Sequence, residues 1–400
     1  MELSVKNLLL HNNSWHNYLS YYGSEEHGGT VRGAVINAML HVISCKHYLR
    51  GHGQFYCSNK NCTREERLIF TCKNRMCNSS GRMATAKWIE KQNITLPPAP
   101  WQHITCTIPS ALWGFFKSNR RLLTKLCKIG ADIIKEISQT KGVLPGIFLA
   151  FHTFGRDLKW NPHLHISTTQ GGINLDNETW KKVYFKANRI MRMWRYRIIT
   201  LLRKENKKGC LIFPSNIPPF EFGKILDAQY RKHWHIHCAK PFANPQKDIE
   251  YLGRYIKRPP FANSRLTHYN GDDVMFKFLN HKTGKEEFFH CDIFDFIDRF
   301  TQHVPERYFR MIRYYCFLSN YHRGKLIPII NKIFNHNVLS NIKMTWRFLY
   351  KKTFGYSPTD CILCNSKLHL AFLCIDVNSF ELKTYHHKLA QNNGIRYQAG

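Results

Sequence analysis

The sequence has few acidic residues and no long apolar run. Its 400 residues include 27 aspartates and glutamates against 59 lysines and arginines, a formal net charge of +32 at pH 7. It contains no run of about 18 apolar residues, so no membrane-spanning helix is predicted. The first ten residues contain one lysine, a very short apolar run and no small-residue cleavage site, so no secretory signal peptide is predicted.

The excess of positive charge indicates a polyanionic partner. For a protein this basic, nucleic acid is the commonest such partner. The lysines and arginines are spread along the whole chain, which argues against binding to a membrane surface. A surplus of charge that serves only solubility is the alternative interpretation. With 43% apolar and 14% aromatic residues, the chain is expected to fold into roughly two or three globular domains.

Prolines at positions 97, 98 and 100 mark a predicted domain boundary. Residues 1–95 contain five of the 14 cysteines and many turn-forming residues. Residues 96–325 alternate between period-2 and helical apolar patterns, which predicts an α+β domain. Residues 326–400 are basic, and we expect a mainly helical C-terminal region there.

Hydrophobic periodicity gives the predicted elements of the central region. Turn-forming residues at 155–162 favour a hairpin between two of the strands. The predicted strands are 101–108, 146–154, 163–169, 230–239, 274–279 and 286–291. The predicted helices are 120–137, 180–205, 248–256 and 294–302, preceded by a short helix at 83–92.

Four cysteines in the first domain have the spacing of a metal site. Cys57 and Cys62 are five residues apart, Cys72 and Cys77 are also five apart, and ten positions separate the pairs. Each pair can bind one side of a tetrahedral ion, and four thiolates suit Zn²⁺. A segment this short cannot bury a large core, so zinc would contribute to its folding as a structural ion.

Other ligand sets are open in the sequence. Buried thiols without metal are the alternative for the first four cysteines, and Cys45 and His52 are alternative ligands. Near the C-terminus, four residues could form a second zinc knuckle, although their spacing is cramped and the absence of metal is an equal alternative. These residues are Cys361, Cys364, His369 and Cys374.

A His-Leu-His motif lies at the start of a predicted strand. Because side chains alternate along a strand, His163 and His165 point to the same face, where two imidazoles can hold a divalent cation. The pattern alone is not specific, because the chain has 22 histidines. The same spacing recurs at His235 and His237.

Two tyrosines stand four residues apart in the predicted helix 248–256. Tyr251 and Tyr255 would therefore lie one turn apart on the same side of the helix. Arg254, Lys257 and Arg258 surround them with positive charge. The alternative interpretation is an ordinary pair of core or surface tyrosines.

The histidine pair and the tyrosine pair together supply the parts of a DNA-cleaving mechanism. A cation on the histidines would bind a phosphate oxygen and stabilise the developing charge. A tyrosine hydroxyl, whose pKa is about 10, is a weak nucleophile, and in-line placement beside the phosphate compensates. Attack leaves a phosphotyrosine and a free 3′-hydroxyl, and a different 3′-hydroxyl can reverse the step, which is strand transfer. Two tyrosines would permit two attacks without release of the DNA.

Mg²⁺ or Mn²⁺ is the predicted catalytic ion. Magnesium prefers oxygen ligands, whereas imidazole suits manganese or zinc better. The site needs a third ligand, and His152 on the partner strand of the hairpin could reach the same face. Carboxylates or glutamines from elsewhere are the alternatives.

The motifs resemble those of the two-tyrosine HUH transposases of the insertion sequence 91 family, with His163-Leu164-His165 as the HUH motif. The similarity covers roughly residues 15 to 325. The metal-binding region is matched by 151–158, 162–165 and 171–172, and the nucleophile region by 251–255, 258 and 263–266. The next segment is matched by 296–300, 303–305 and 312–315, and the zinc-binding domain by 57–77.

This resemblance implies the roles of the motif residues. Tyr251 and Tyr255 would be the nucleophiles, and His163 and His165 would hold the catalytic metal. The pair at 235 and 237 lacks the flanking pattern and is interpreted as ordinary strand residues. The residues predicted to contact DNA are Arg254, Lys257, Arg258 and Arg265.

The resemblance also implies a fold and a substrate. The fold would be an α+β HUH-nuclease core, a central antiparallel sheet with packed helices, between a small zinc-binding domain and a basic C-terminal region. The substrate would be single-stranded DNA at the ends of a transposable element, joined to target DNA in rolling-circle-type transposition. We therefore expect a bacterial cytoplasmic protein associated with the nucleoid and with no membrane partner.

One position departs from the family pattern. The family's zinc cluster often has a further cysteine three residues after the position of Cys77, and Ser80 stands there in this chain. This departure makes Cys45 a stronger candidate for the zinc ligand set.

Two other functions use some of the same features. A rolling-circle plasmid replication initiator would use the same chemistry, although the N-terminal thiolate cluster favours a transposase. A non-catalytic, zinc-dependent DNA-binding protein would explain the charge and the cysteines. It would leave His163, His165 and the tyrosine pair without a role.

Overall fold

The computed structural model describes most of the chain. The described residues are 2–24, 31–241, 249, 253, 258–280, 283–336 and 345–374. Of the predicted tyrosine helix, only Ile249 and Gly253 are described. The predicted site residues that lie outside the described residues are Tyr251, Arg254, Tyr255 and Lys257.

Helices and antiparallel strands follow each other along the chain. The helices are α1 (Val5–Leu10), α2 (Ser14–Gly23), α3 (Gly33–Ile43), α4 (Asn78–Thr95), α5 (Trp113–Ser118), α6 (Leu122–Gln139), α7 (Ala187–Lys207), α8 (Phe222–Arg231), α9 (Ile293–Thr301), α10 (Arg323–Ile333) and α11 (Trp346–Phe354). The strands are β1 (His52–Cys57), β2 (Glu65–Ile69), β3 (Trp101–Thr107), β4 (Leu144–Phe154), β5 (Trp160–Ile173), β6 (Trp180–Lys181), β7 (Ile236–Cys238), β8 (Leu266–Tyr269), β9 (Asp273–Leu279), β10 (Glu286–Asp292), β11 (Ile312–Cys316) and β12 (Leu368–Cys374).

An antiparallel sheet lies at the centre of the fold. Its strand order is β11–β4–β5–β3–β7, and the short β6 pairs with β5. β4 and β5 form a long hairpin whose register runs from Leu144 opposite Ile173 to Phe154 opposite Trp160. The predicted α+β fold class is confirmed.

One face of this sheet packs against α6 and α7. Ile147 and Leu149 of β4 are buried on this face with Leu164 and Ile166 of β5. A Cβ atom at Gly130 of α6 would lie 2.7 Å from Cδ1 of Leu164, so only a glycine lets the helix approach the sheet this closely. The two helices thus make a close-packed support behind the strands.

The other face carries aromatic residues at one end and histidines at the other. Phe148 and Ala150 of β4 belong to a buried cluster that includes Trp88 of α4 and Ile249. His152 lies two residues after Ala150 on the same strand, so its side chain is on the same face.

A second core joins the N-terminal helices to the sheet β8–β9–β10 and to α9. Phe261 packs edge-to-face against Phe276 and Phe296 at its centre. Leu158, in the tip of the β4–β5 hairpin, is fully buried in this core although its φ is +61°. A left-handed leucine costs about 1 to 2 kcal/mol, which the burial of its side chain offsets. The tip of the histidine-bearing hairpin is therefore anchored in this second core, while its strands pack against α6 and α7.

A small sheet brings the two ends of the described chain together. Its order is β12–β1–β2, with Cys57 opposite Leu368 and His52 opposite Cys374. Nearby, α11 packs on α4, where the guanidinium of Arg82 lies over the ring of Phe354. Residues 345–374 thus contact residues 52–95, although the two segments are far apart in sequence.

The structure confirms the predicted strands at 101–108, 146–154 and 163–169, the helices at 83–92, 120–137 and 294–302, and the hairpin at 274–291. The N-terminal helices α1 to α3 were not predicted. Among the described residues, no helix is both long and apolar enough to cross a bilayer.

Two predicted elements were wrong. The helix predicted at 180–205 begins only at Ala187, because Trp180–Lys181 pairs with β5 as an edge strand. Val183 and Phe185 are buried while Tyr184 is exposed, which is the alternation of extended chain. The strand predicted at 230–239 is only Ile236–Cys238, because its first residues continue α8.

Candidate active site and metal centres

Three histidines meet on one face of the β4–β5 hairpin. His152 of β4 stands opposite His163 of β5, and Ala150 stands opposite His165, so all three imidazoles share a face. Their ring nitrogens lie within 4.8 Å of one another. The Nε2 atoms of His163 and His165 are 3.1 Å apart. The hairpin therefore brings His152 to the predicted pair.

Hydrogen bonds orient two of these rings. Nδ1 of His163 lies 2.7 Å from the backbone oxygen of Asn161, to which it can only donate. This bond fixes the tautomer and leaves the lone pair on Nε2. Nδ1 of His165 lies 3.0 Å from Nε2 of His103 on β3. When Nδ1 of His165 carries the proton of this hydrogen bond, the lone pair on Nε2 of His165 is available to a metal.

Burial favours the neutral form of the His163 and His165 imidazoles near neutral pH. It lowers the pKa of His163, although the hydrogen bond to Asn161 opposes the shift. Burial also places the pKa of His165 well below its usual value, with smaller contributions from His152, His163 and His103. A metal-binding imidazole must be neutral, so the environment favours ligation over protonation.

The donor set fits a divalent cation. Three neutral imidazole nitrogens that converge from a rigid hairpin suit manganese or another first-row transition metal, and they suit magnesium less well. In the part of the chain that the structure describes, no carboxylate belongs to this group. Oxygen ligands would come from a substrate phosphate or from water.

His103 was not identified from the sequence. It is buried, and burial together with His237 lowers its pKa to about 4. The only sequence signal was its place on the predicted strand 101–108, and that strand's pairing with β5 was unknown. His237 lies on β7 beside Thr105 and is exposed, in agreement with its interpretation as a strand residue.

Ile249, which precedes the predicted nucleophiles, packs on the histidine-bearing side of the sheet. Its side chain is 1% exposed and lies in the buried cluster that contains Phe148 and Ala150. Ala150 is the residue opposite His165 in the β4–β5 ladder. Ile249 thus lies in the same buried cluster as the residue that stands opposite His165.

Gly253 lies against the helix that follows the cysteine-rich segment. A Cβ atom at this position would be 2.4 Å from Cγ1 of Ile89 and 3.3 Å from Cε3 of Trp88, both on α4. Only a glycine fits there without a shift. Trp88 is held in turn by a hydrogen bond of 3.1 Å from Nε1 to the hydroxyl of Tyr314.

The two described arginines of the predicted DNA contact differ in their surroundings. Arg258 is exposed. Arg265 is half-buried between the rings of Phe261 and Phe276 and donates from Nε to the carbonyl of Lys277 at 2.9 Å. Burial lowers the pKa of Arg265 to about 10. Arg265 supports the fold, and its contact with DNA stays a prediction.

The predicted four-cysteine site needs correction, because its members divide between two groups. Cys57 and Cys62 lie with two cysteines from the C-terminal part, Cys361 and Cys364. Cys72 and Cys77 lie instead with Cys45, in a separate group of three. The small sheet is the physical reason for this division. Cys57 is the last residue of β1, and β1 pairs with β12 from the C-terminal part of the chain.

The second group has three thiols and one hydroxyl. Cys45, Cys72 and Cys77 are buried, and their sulfur atoms lie within 4.8 Å of one another. Oγ of Ser80 is 3.4 Å from the sulfur of Cys72 and 3.9 Å from that of Cys45. Ser80 thus occupies the neighbourhood in which the family pattern has a cysteine. The three sulfur atoms can hold a zinc ion, with the fourth position beside Ser80.

The same group favours a thiolate at Cys77 and a protonated thiol at Cys72, whose pKa is raised by its hydrogen bonds with Cys45 and Cys77. Hydrogen bonds from the thiols of Cys45 and Cys72 lower the pKa of Cys77 to about 2. The backbone N–H of Asn74 points to the sulfur of Cys72, and that of Cys72 points to the sulfur of Cys45, each at 3.5 Å. Such N–H donors stabilise negative charge on metal-binding sulfur.

Of the alternative ligands, Cys45 belongs to the second group, whereas the others lie apart from both groups. His52 stands at the start of β1 opposite Cys374, at the far end of the ladder from Cys57. His369 stacks on the ring of Tyr56, with 6.0 Å between the ring centroids. The separate C-terminal knuckle is therefore also corrected, because His369 and Cys374 are not in the group that contains Cys361.

Comparisons with known proteins agree with these centres. A family model described as "Transposase zinc-binding domain" matches residues 11–108, and one described as "Putative transposase" matches residues 146–325. The chain is 33% identical over 374 residues to the "Transposase for insertion sequence element IS801" of Pseudomonas savastanoi pv. phaseolicola, which covers 91% of this chain and 88% of that protein. It is 27% identical over 317 residues to the "Putative transposase y4qJ" of Sinorhizobium fredii (strain NBRC 101917 / NGR234), covering 75% of this chain and 80% of that protein.

No solved structure matches the chain at a comparable level of significance. The family assignment therefore depends on the two family models and on the relatives. The identity of 33% extends over most of both chains, which includes the histidine-bearing hairpin and the cysteine-rich segment. This chain belongs to the insertion sequence 91 family of transposases and has the family's zinc-binding domain in its N-terminal part.

Proposed function

We propose that this transposase cleaves and rejoins single-stranded DNA through a covalent 5′-phosphotyrosine in rolling-circle-type transposition. Tyr251 and Tyr255 are the proposed nucleophiles. His152, His163 and His165 are the proposed ligands of Mg²⁺ or Mn²⁺. The supporting observation is that three imidazoles converge on one face of the sheet, beside the point where the segment that leads to the tyrosines is attached.

The chain's own residues supply orientation and the nucleophile. When bound, a divalent cation supplies electrostatic stabilisation of the phosphate charge. Asn161 and His103 hold the rings of His163 and His165, so their free nitrogens are fixed before substrate arrives. A tyrosine oxygen attacks the phosphorus, the bond to the 3′-oxygen breaks, and a 3′-hydroxyl is released. A second 3′-hydroxyl can then displace the tyrosine.

The proposed core is an HUH nuclease built on residues 96–325. The antiparallel strands β4, β5 and β3 with α6 and α7 on one face support this proposal, because the opposite face carries the histidines. Residues 1–95 form the proposed zinc-binding domain and residues 326–400 the proposed basic C-terminal region. The two cysteine groups support structural zinc.

The proposed substrates are single-stranded DNA at the ends of the element and target DNA. A transposase acts on DNA, and the net charge of +32 supports binding to its phosphates. Arg254 lies between the two proposed nucleophiles, and Lys257 and Arg258 follow them closely, so their charges would lie near the scissile phosphate. The proposed place of action is the bacterial nucleoid.

Formation of a covalent adduct tests this function. The full-length protein is incubated with 3′-labelled single-stranded oligonucleotides from both element ends, in Mg²⁺ or Mn²⁺, and resolved on a denaturing gel. The 3′ label is required because the protein stays on the 5′ phosphate of the downstream fragment. We expect a labelled adduct that is lost in the Tyr251→Phe, Tyr255→Phe double variant. Tyr196→Phe is the control, because Tyr196 is exposed on α7.

The other outcomes point to the two rival functions. An adduct with a plasmid origin but not with element ends would indicate a replication initiator. Tight binding to the oligonucleotides without an adduct under any metal condition would indicate a zinc-dependent DNA-binding protein. An adduct that persists in the double variant would exclude both tyrosines as the nucleophile.

A further inference from the structure

Four cysteines from opposite ends of the described chain share one site. Cys57 and Cys62 flank the turn after β1, and Cys361 and Cys364 flank a turn shortly before β12. Their four sulfur atoms lie within 4.8 Å of one another. The two pairs are about 300 residues apart in sequence, and neither pair alone offers more than two ligands.

The distances between the sulfur atoms fit a tetrahedral ion. Cys57 and Cys364 have their sulfurs 3.4 Å apart, and Cys62 and Cys361 have theirs 3.8 Å apart. A tetrahedral zinc ion with bonds of about 2.3 Å to sulfur requires about 3.8 Å between sulfurs. The sulfurs are too far apart for disulfides, whose bond length is about 2.0 Å.

Each pair is presented by a hydrogen-bonded turn. The backbone N–H of Cys62 donates to the carbonyl of Asn59 at 2.9 Å. In the other turn, the N–H of Asn365 donates to the carbonyl of Cys361 at 2.8 Å, with Asn365 at a φ of +56°. The N–H of Cys361 donates to Ser366 at 2.7 Å. Two such turns at the end of a small antiparallel sheet are the arrangement of a zinc ribbon.

The sheet around this site has little core of its own. Among the residues that the structure describes, its buried cluster consists of Cys57, Cys361 and Leu368, with Phe55 and two further cysteines partly buried. Phe372 on β12 is 56% exposed. This small amount of apolar burial is not enough to stabilise the pairing of two segments that are distant in sequence. A bound metal ion would supply the additional free energy of folding.

We propose that Cys57, Cys62, Cys361 and Cys364 bind one Zn²⁺ ion that joins the N-terminal and C-terminal parts of the chain. This site is separate from the second cysteine group, which consists of Cys45, Cys72 and Cys77. It is also independent of the proposed tyrosine chemistry, because none of its ligands lies at the histidine group.

The ion holds residues 345–374 in place. It fixes β12 on β1, where Ser58 donates to the carbonyl of Lys367 at 2.9 Å. The helix α11 of the same segment packs on α4, where the guanidinium of Arg82 donates to the carbonyl of Thr353 on α11 at 3.3 Å. Because Gly253 lies against Ile89 and Trp88 of α4, the C-terminal segment supports the helix on which Gly253 packs.

Thiol alkylation of the full-length wild-type protein tests the proposal. The zinc-loaded protein is treated with iodoacetamide before and after removal of metal with a chelator, and the labelled cysteines are read by mass spectrometry. We expect Cys62 and Cys364, both partly exposed, to be protected in zinc and to react together after chelation. Added zinc should restore protection at both positions. Cys210 is exposed and serves as the control that reacts in both states.

Zinc content of purified variants gives the second measurement. The Cys361→Ser, Cys364→Ser variant should lose one equivalent of zinc relative to the wild type and release residues 345–374 to trypsin. Cys374→Ser is the matched control and should keep the full content, because Cys374 is outside the group. If the double variant does not fold, the alkylation result on the wild type decides.

Two results would overturn the proposal directly, and a third would replace the metal with a disulfide. One is equal reactivity of Cys364 before and after chelation while Cys62 is protected, because the two would then not share an ion. The other is an unchanged zinc content in the folded Cys361→Ser, Cys364→Ser variant. Protection that a reductant but not a chelator removes would show a disulfide in place of the metal.

Discussion

The Nδ1 atom of His165 lies 3.0 Å from the Nε2 atom of His103, between neighbouring strands of the central sheet. Oγ1 of Thr105 lies 3.3 Å from the same nitrogen of His103. In the tautomer with the proton on Nδ1 of His165, His103 accepts this hydrogen bond and Nε2 of His165 is left for a metal. A histidine held in this way has its ring orientation and its tautomer fixed.

Replacement of His103 should weaken the metal site without removing a ligand. We expect His103→Ala to lower the affinity for Mn²⁺ by about 10- to 100-fold, the usual effect of losing a partner of a metal-binding histidine. Cleavage rates measured against Mn²⁺ concentration would show a higher half-maximal concentration and near-normal activity at saturation. His103→Gln can still accept the bond and should recover part of the affinity. An unchanged metal dependence with a lower melting temperature would mean that His103 only stabilises the fold.

His163 should be required for cleavage but not for binding. Its Nε2 is the nitrogen left free by the bond to Asn161, so His163→Ala removes one of the three proposed ligands. We expect cleavage to be abolished and DNA affinity to stay within about threefold, because phosphate contacts from lysine and arginine dominate affinity. A gel-shift and a cleavage assay on the same preparations measure both. His237→Ala is the matched control, and equal loss of binding and cleavage in His163→Ala would indicate a folding role.

Gly253 should be essential for placing the tyrosine segment. A Cβ atom there would lie 2.4 Å from Cγ1 of Ile89, so in Gly253→Ala either the backbone at position 253 or the side chain of Ile89 must shift. We expect cleavage to fall by about 10- to 100-fold, because small displacements of a nucleophile cost rate steeply. Adduct formation measured over time would show the loss.

A compensating change makes the Gly253 prediction specific. Ile89→Ala in the Gly253→Ala background opens the space again and should recover part of the rate, which a double-mutant cycle quantifies. Gly223→Ala is the control, because open space surrounds Gly223 on α8. Full activity of Gly253→Ala alone would show that this contact does not position the nucleophile.

The histidine group shows how much of the site was accessible from the sequence. Alternation along a strand is a local property, so His163 and His165 could be placed on one face from their spacing. His152 followed from the hairpin, whose turn residues were visible at 155–162. His103 could not be found, because it depends on which strand lies beside β5, and hydrophobic periodicity does not record strand order.

The cysteines show where local spacing fails. Two pairs with a spacing of five, ten positions apart, suggested one site, and each pair taken alone fits that interpretation. The fold divides them, because β1 pairs with β12 from the other end of the chain. Long-range pairing depends on the tertiary fold, so no feature between positions 57 and 77 could indicate Cys361 as a partner.

DNA affinity should depend strongly on salt. Each phosphate neutralised on single-stranded DNA contributes about −0.7 to the slope of log affinity against log salt concentration. We expect a steep negative slope for the wild type and a slope shallower by about 0.7 for Arg258→Ala, which fluorescence anisotropy at several salt concentrations measures. Lys128→Ala should keep the wild-type slope, because Lys128 lies on α6, across the sheet from the histidines. A wild-type slope near zero would exclude phosphate contacts as the main source of affinity.

Stability in acid should depend on Glu205, which is buried between α7 and α6. The ammonium of Lys125, 2.6 Å away, and the guanidinium of Arg121 lower the pKa of Glu205 to about 2. A carboxyl whose folded pKa is depressed stabilises the fold above its unfolded pKa, about 4.5, and this contribution disappears as the pH falls towards 2. We therefore expect Glu205→Gln to melt about 3 °C lower than the wild type at pH 7 and the difference to narrow below pH 4.5.

Glu136→Gln is the matched control, because Glu136 pairs with Arg197 across the same two helices but is half exposed, so its loss should change the melting temperature little. A difference for Glu205→Gln that stays constant between pH 7 and pH 4 would show that lost packing, and not the ionised carboxylate, is the cause.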